Sequence, residues 1–438
     1  MAQKHTVSFI SLGCPKNLVD SEGLVSTLLS RGFRVLDDPT VADLVVVNTC
    51  GFLAASRRES VDTIKEAVAL KDGGVKGVLV AGCMVGNYKD QIEKEAPGVD
   101  RFVPFVDYSN IDGIAEELLP KDPSPSFTVE RRRVDAALTP GHYAYLKISE
   151  GCNHTCAFCV IPDIRGPMRS LPEDDLVARA RTLAERGVKE LVVIAQDSTV
   201  YGTDLYGSNR TSRLLHRLDS IEGIEWIRLM YAYPTEVRDE LIETLATSER
   251  VLPYLDVPMQ HASDSVLKRM RRGYGRARLS RMVQDLRDRV PDIALRTTFI
   301  VGFPGETDAD FEELLDFVRE ARVERLGAFR YSNEAGSRAA DLDGQVPESV
   351  KDERYDRLMM EQQQIAFAHN EASIGTTESV LVDAAAVDGR PAVARRRRDA
   401  PEVDASVFIQ NDALRPGDLI QVEITGASGY DLRATLPG

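Results

Sequence analysis

The chain has 438 residues, 43% of them hydrophobic and 28% charged, so two or three globular domains are expected. No apolar run approaches the roughly 20 residues that span a bilayer, and the start MAQKHTVSFISLGC lacks the apolar core of a secretion signal. A cytoplasmic protein with no membrane partner is expected, in a compartment where thiols stay reduced and a disulfide framework is disfavoured. The net charge of −15, from 54 basic and 69 acidic residues, argues against broad charge-driven binding of nucleic acid and suits a basic partner better.

Residues 1–119 alternate short apolar runs (Thr6–Leu12, Asp43–Asn48, Gly77–Ala81, Arg101–Phe105) with helical patterns near Leu18–Arg31, Ser56–Leu70, Tyr88–Glu95 and Ile111–Leu119. That rhythm predicts an α/β domain with an open parallel sheet. A polar, proline-containing stretch, Pro120–His142, reads as a linker. Residues 143–345 carry six further candidate strands: Tyr143–Ser149, Glu190–Ala195, Trp226–Met230, Tyr254–Val257, Ala294–Val301 and Leu326–Tyr331. With helices between them they predict an incomplete (β/α)6 barrel, since the region is shorter than the roughly 250 residues of the eight-fold version. A connecting helix is expected over residues 346–373, with its polar pattern from Pro347 to Ala372. The last segment, 374–438, has strand-like runs Ser379–Val382, Ala392–Ala394, Val407–Ile409 and Leu419–Ile424 with turn pairs between them. It predicts a small OB-like β-barrel of five strands.

Cys152, Cys156 and Cys159 form a Cys-x3-Cys-x2-Cys triplet just beyond the first barrel strand, at the end where barrel active sites are built. Three thiolates on one loop can hold three irons of a cubane and leave the fourth iron free to chelate S-adenosylmethionine. A zinc site is the alternative, with His154 as fourth ligand, although zinc favours paired spacings. Cys14, Cys50 and Cys83 are scattered, yet each follows a predicted parallel strand (TVSFISLG, LVVVNT, GVLVAG). Strand ends of an open α/β sheet share one edge, where ligands bind, so these three can converge. Gly13, Gly51 and Gly82 beside them would let backbone approach a cluster. Taken singly they would read as small buried residues; six cysteines dividing into two triplets with none left over favours two clusters.

Around the barrel mouth, TTFIVGFPGET (Thr297–Thr307) reads as a strand, a glycine turn and a helix start, with Glu306 or Thr307 as cap. Gly302 and Gly305 could cradle S-adenosylmethionine. Gln196, Asp197 and Ser198 follow the second strand and Gln260 and His261 the fourth, all expected at the same mouth. Phe158 could pack on adenine or fill core, and Arg296 could meet a carboxylate or nucleotide or form an ion pair. No catalytic residue beyond the cluster ligands stands out. No phosphate-binding Gly-x4-Gly-Lys-Ser/Thr loop occurs.

The order Cys14, Cys50, Cys83, then Cys-x3-Cys-x2-Cys, then a small β-domain resembles the radical-SAM methylthiotransferases along nearly the whole chain. The resemblance implies two 4Fe–4S clusters, an auxiliary one on Cys14, Cys50 and Cys83 linked to sulfur insertion and a second on Cys152, Cys156 and Cys159 that cleaves S-adenosylmethionine. It also implies that the terminal β-domain, called TRAM in that family, recognises substrate. SLGCPKNLVDSE (Ser11–Glu22), AQDSTVYG (Ala195–Gly202) and RDAPEVDASVF (Arg398–Phe408) resemble the branch acting on ribosomal protein. That branch implies methylthiolation of an aspartate β-carbon in small-subunit ribosomal protein twelve, free or in the ribosome, by a monomer served by an electron donor such as flavodoxin or ferredoxin. Transfer-RNA adenosine methylthiotransferase is the alternative, and a non-enzymatic zinc or redox-binding protein a distant one. Ten Asp/Glu against seven Arg and no Lys after Thr376, a balance of −3, suit a basic protein partner. The run Arg395–Arg398 dissents. It reads as a solvated, partly ion-paired strand rather than a phosphate-binding strip.

Overall fold

In the computed structural model, residues 5–119 and 138–437 are described. Of the expected linker Pro120–His142, residues 120–137 lie outside them. The N-terminal strands Thr6–Ser11, Leu44–Thr49, Gly77–Gly82 and Arg101–Val103 form a parallel sheet together with a short strand, Arg34–Val35, at one edge. Leu44–Thr49 and Gly77–Gly82 are buried at every position, as a central parallel strand covered on both faces must be. Their alternate residues feed two cores. Leu44, Val46 and Leu79 pack against Leu24 and Leu28 of helix Pro15–Ser30 and Ile111 of helix Ile111–Leu118. Val45, Val47, Val78 and Val80 pack against Val61 and Ile64 of helix Ala54–Ala69 and Ile92 of helix Lys89–Glu95. The edge strand Arg34–Val35 was not expected, because two residues, one of them charged, carry no periodic signal.

The second sheet has six parallel strands in the order Arg325–Arg330, Ala294–Val301, Val251–Asp256, Trp226–Leu229, Glu190–Ile194 and Tyr143–Lys147. Its first and last strands do not pair, which leaves the barrel open. A short antiparallel pair, Ser149–Glu150 with Arg169–Ser170, adds to the first strand's end. Helix Glu348–Ala372 packs its Leu358 and Ile365 on the barrel core. The terminal strands Thr377–Ala384, Ala392–Arg396, Val407–Ile409, Asp431–Thr435 and Leu419–Ser428 close into a barrel in that order around Val380, Val382, Val407, Val422 and Ile424. Asp431–Thr435 is the strand the sequence pattern left unassigned. By compactness the chain divides into two units, one of residues up to 138 with Val160–Gly166 and one of Thr139–Cys159 with Pro167 onward. No helix among the described residues is long and apolar enough to cross a membrane.

The arginine run corrects an expectation. Arg395 and Arg396 are buried, not solvated. Arg395 binds Glu190 at 2.7 Å and Asp383 at 2.7 Å, while Arg396 binds Asp399 at 2.8 Å. Residues Arg397–Ala405 then close the floor of the six-stranded barrel, where the strands begin. Arg228 reaches Glu190 at 2.7 Å and the Arg397 carbonyl at 2.8 Å, and Arg325 reaches Asp399 at 2.6 Å. Tyr143 donates to Glu402 at 2.7 Å and Tyr254 to Asp404 at 2.8 Å. Strand alternation sends every second side chain inward, and here the inward layer is polar because a charged loop meets it.

Candidate functional site

Cys14 caps the start of helix Pro15–Ser30, Cys50 follows strand Leu44–Thr49, and Cys83 follows strand Gly77–Gly82. Their turns lie against one another. A Cβ added to Gly13 would sit 2.7 Å from the Cys50 Cβ, and one added to Gly51 would sit 2.9 Å from the Cys83 carbonyl oxygen. Gly13 also holds φ at +88°, a conformation that favours glycine. Two asparagines tie the turns together. Asn17 Nδ2 donates to the carbonyls of Leu12 at 2.7 Å, Asn48 at 3.2 Å and Thr49 at 3.2 Å, and Asn48 Nδ2 donates to the Asn17 carbonyl at 2.9 Å. Thr49 Oγ1 donates to the Ala81 carbonyl at 2.6 Å and so joins the third strand. Within the same unit, Arg165 donates to Asp20 at 2.9 Å and to the Cys83 sulfur at 3.4 Å, with Phe105 beneath its guanidinium. Burial pushes the Cys83 thiol up to about 11, against the pull of Arg165, and raises Cys50 too.

Cys152, Cys156 and Cys159 lie on a loop after Ser149–Glu150. The loop is pinned by Ala157, whose N–H donates to the Met270 carbonyl at 2.9 Å and whose carbonyl accepts from Ala339 at 2.8 Å. Burial pushes the Cys152 thiol up to about 11. The Cys156 sulfur accepts from Arg272 Nη1 at 3.1 Å. His154 is turned elsewhere. Its Nε2 meets the buried Asp197 carboxylate at 2.6 Å and its ring stacks on Tyr233 at 3.8 Å.

The other sequence-picked residues fall at strand ends of the same barrel. Gln196 donates to Glu150 at 2.9 Å, and Glu150 also holds Lys147 at 2.7 Å. Ser198 is fully buried, and its hydroxyl has no hydrogen-bond partner among the described residues. Gln260 is one of the few non-glycine residues with positive φ, +72°, and bridges Phe299. Such a strained backbone tends to sit at functional positions. Tyr231, at φ +64° after the third strand, shares this feature and was missed, since nothing in a sequence announces a left-handed tyrosine. Phe158 is partly buried and packs with Val266, Met270 and Phe303. Gly302 and Gly305 are explained inside the chain, because a Cβ would meet Lys351 at 2.3 Å and the Arg269 guanidinium at 2.6 Å. Arg296 is committed to Asp256 at 3.1 Å and Asp404 at 3.4 Å, the ion-pair reading. Thr307 caps helix Asp308–Ala321 in a reciprocal box with Asp310. Glu306 instead faces Arg354 at 3.0 Å and His261 at 3.7 Å, and burial raises its carboxyl to about 7.

Among the described residues, no three His, Cys, Asp or Glu side chains converge as one metal ion requires. A cubane asks for something different, one thiolate for each of several irons. Three cysteines on adjoining turns fit that demand. Arg165, at the end of helix Ile161–Arg165, and Arg272, next to Arg271, went unnoticed in the sequence, where such arginines read as surface.

Three stretches of the chain match known families. Residues 6–104 match a family described as Uncharacterized protein family UPF0004, residues 146–318 match the Radical SAM superfamily, and residues 374–436 match the TRAM domain. A ribosomal protein uS12 methylthiotransferase RimO from Anaeromyxobacter sp. (strain K) is 46% identical over 429 residues, covering 96% of this chain and 91% of the relative. The RimO of Lachnoclostridium phytofermentans is 44% identical, covering 98% of this chain and 99% of the relative. Among solved structures, the radical S-adenosylmethionine methyltransferase TsrM from Kitasatospora setae aligns with a TM-score of 0.56 at 14% identity, over 75% of this chain and 72% of that one, which speaks to fold alone.

Proposed function

The chain belongs to the RimO family of radical-SAM methylthiotransferases, enzymes with two 4Fe–4S clusters that use S-adenosylmethionine, and from that premise we propose that it adds a methylthio group to ribosomal protein uS12, at the β-carbon of an aspartate. The observation that carries the reading is the pair of cysteine triplets, each on adjoining turns or one pinned loop beyond parallel strands. Cys14, Cys50 and Cys83 hold the auxiliary cluster, and Cys152, Cys156 and Cys159 hold the cluster that serves S-adenosylmethionine. When bound, these groups supply the electron for cleaving S-adenosylmethionine and the site at which sulfur is presented to carbon.

The chain's own residues do the positioning. Asn17, Asn48 and Thr49 fix the spacing of the first triplet, and the Ala157 hydrogen bonds fix the second. Gln196, Gln260 and Phe158 would line the S-adenosylmethionine site, with Gly302 and Gly305 shaping the neighbouring turn, whereas Ser198 is fully buried and does not face it. Arg296 acts through Asp256 and Asp404 as a support for the barrel floor. The enzyme works as a cytoplasmic monomer with a flavodoxin or ferredoxin as electron donor. The test is mass analysis of reconstituted enzyme offered a uS12 peptide and a transfer RNA together. A methylthio group replacing one hydrogen on the peptide's aspartate supports the reading, whereas methylthioadenosine in the RNA with unmodified peptide rejects it.

A further inference from the structure

Each cysteine triplet has one buried arginine donating to one sulfur, and the two arginines differ in charge balance. Arg165 reaches the Cys83 sulfur at 3.4 Å, but the Asp20 carboxylate lies 2.9 Å away, so its charge is neutralised locally. Arg272 is only 6% exposed and reaches the Cys156 sulfur at 3.1 Å. Its other partners are neutral: Nε donates to Tyr274 Oη at 2.7 Å and Nη2 to the Pro258 carbonyl at 3.0 Å. Its guanidinium lies 4.2 Å from the Tyr233 ring centre, and Tyr233 Oη donates to the Arg272 carbonyl at 2.7 Å. Among the described residues no carboxylate is paired with Arg272.

A buried cation without a counter-ion is strongly unfavourable. The fold nevertheless holds this one, through Tyr233, Tyr274 and the Pro258 carbonyl, against the loop that carries the second triplet. An anion belongs there, and a thiolate-bound iron–sulfur centre gaining an electron becomes more negative. Net charge and hydrogen bonds to the sulfurs are the levers that set such a centre's potential. We propose that Arg272 is a positioning residue whose charge, delivered through Cys156, raises the reduction potential of the cluster that serves S-adenosylmethionine, whereas Arg165, neutralised by Asp20, chiefly holds Cys83 in place. The inference rests on assigning a cluster to Cys152, Cys156 and Cys159.

The experiment is a dithionite redox titration followed by electron paramagnetic resonance, on full-length chain with Cys14, Cys50 and Cys83 replaced by alanine so that one cluster remains. R272Q should lower the reduction equilibrium constant about tenfold, a fall of about 59 mV for a one-electron couple, and R272K should stay within about threefold of the parent. In the reciprocal background, lacking Cys152, Cys156 and Cys159, R165Q should move the auxiliary midpoint by less than about threefold. An unmoved R272Q midpoint, an R272K midpoint as low as that of R272Q, or an equal shift in R165Q overturns the proposal. So does loss of iron from R272Q at an unchanged melting temperature, which would make Arg272 a support for the loop only. If R272Q does not fold, R272M takes its place in the same comparison, with the same expected fall and the same overturning result. A parent that binds no iron would instead sink the cluster assignment itself.

Discussion

Gly13 shows how much one missing side chain can decide. Its φ of +88° and the 2.7 Å approach a Cβ would make to Cys50 leave no room for alanine. Gly13→Ala should therefore displace Cys50 and cost the auxiliary cluster alone, so iron content falls from about eight to about four per chain. Full iron in that variant would refute the convergence of the three turns. His261 and Glu306 give a second residue-scale expectation. Burial lowers His261 from 6.5 to about 3, so the folded state refuses a proton that the unfolded chain takes up, and stability falls as pH drops below 6.5. Burial raises Glu306 from 4.5 to about 7, so the folded state keeps a proton that the unfolded chain releases, and stability falls as pH rises from 4.5 to 7. The two slopes oppose each other in the wild type. Denaturant titrations from about pH 5 to 6.5 should show stability rising in Glu306→Gln and falling in His261→Gln, by about 1.5 kcal/mol each. Slopes of one sign in both variants would discard this account. The cysteines were legible in sequence because thiolate chemistry admits few substitutes. SLGCPKNLVDSE was legible only as a family mark. The fold adds its physical content, since Asn17, Asp20, Ser21 and Glu22 are buried on the first turns of helix Pro15–Ser30, where Asn17 and Ser21 bond the strand ends and Asp20 bonds Arg165.

At the scale of elements, the long apolar strands were readable and the short or polar ones were not. Ala294–Val301 and Val407–Ile409 stand where their patterns put them, while Arg34–Val35 and Asp431–Thr435 needed their neighbours to become strands. The loop Arg397–Ala405 is the instructive failure. Its acids count toward the acidic balance of the last segment, yet Asp399 and Asp404 are buried against arginine and tyrosine of the barrel floor. Burial alone would raise the Asp399 carboxyl, but Arg396 and Arg325 outweigh it and hold the group at about 2. Asp399→Ala leaves two buried guanidiniums without that partner, and should cost about 3–5 kcal/mol in urea denaturation of the metal-free chain. A loss below about 1 kcal/mol, the range of exposed pairs, would show that the floor is not held this way.

For the whole molecule, the consequence is that the terminal β-barrel belongs to the same unit as the six-stranded barrel and seals it. Removing residues 374–438 should uncover Glu190, Arg228 and Arg325 together, abolish S-adenosylmethionine cleavage, and leave about half the iron, that of the first triplet. Cleavage at the full rate by the shortened chain would make the terminal barrel a separable reader instead. Domain order and class were visible in the alternation of apolar runs, because periodicity survives without tertiary contacts; the sealing of one domain by another leaves no periodic trace.

The division of labour between the triplets is tested most directly by product analysis of three reconstituted proteins given S-adenosylmethionine, reductant and uS12 peptide. The wild type should form 5′-deoxyadenosine and methylthiolated peptide. The Cys152/Cys156/Cys159→Ala chain should form neither, and the Cys14/Cys50/Cys83→Ala chain should still cleave S-adenosylmethionine while leaving the peptide without sulfur. Methylthiolated peptide from either triple variant would contradict the assignment.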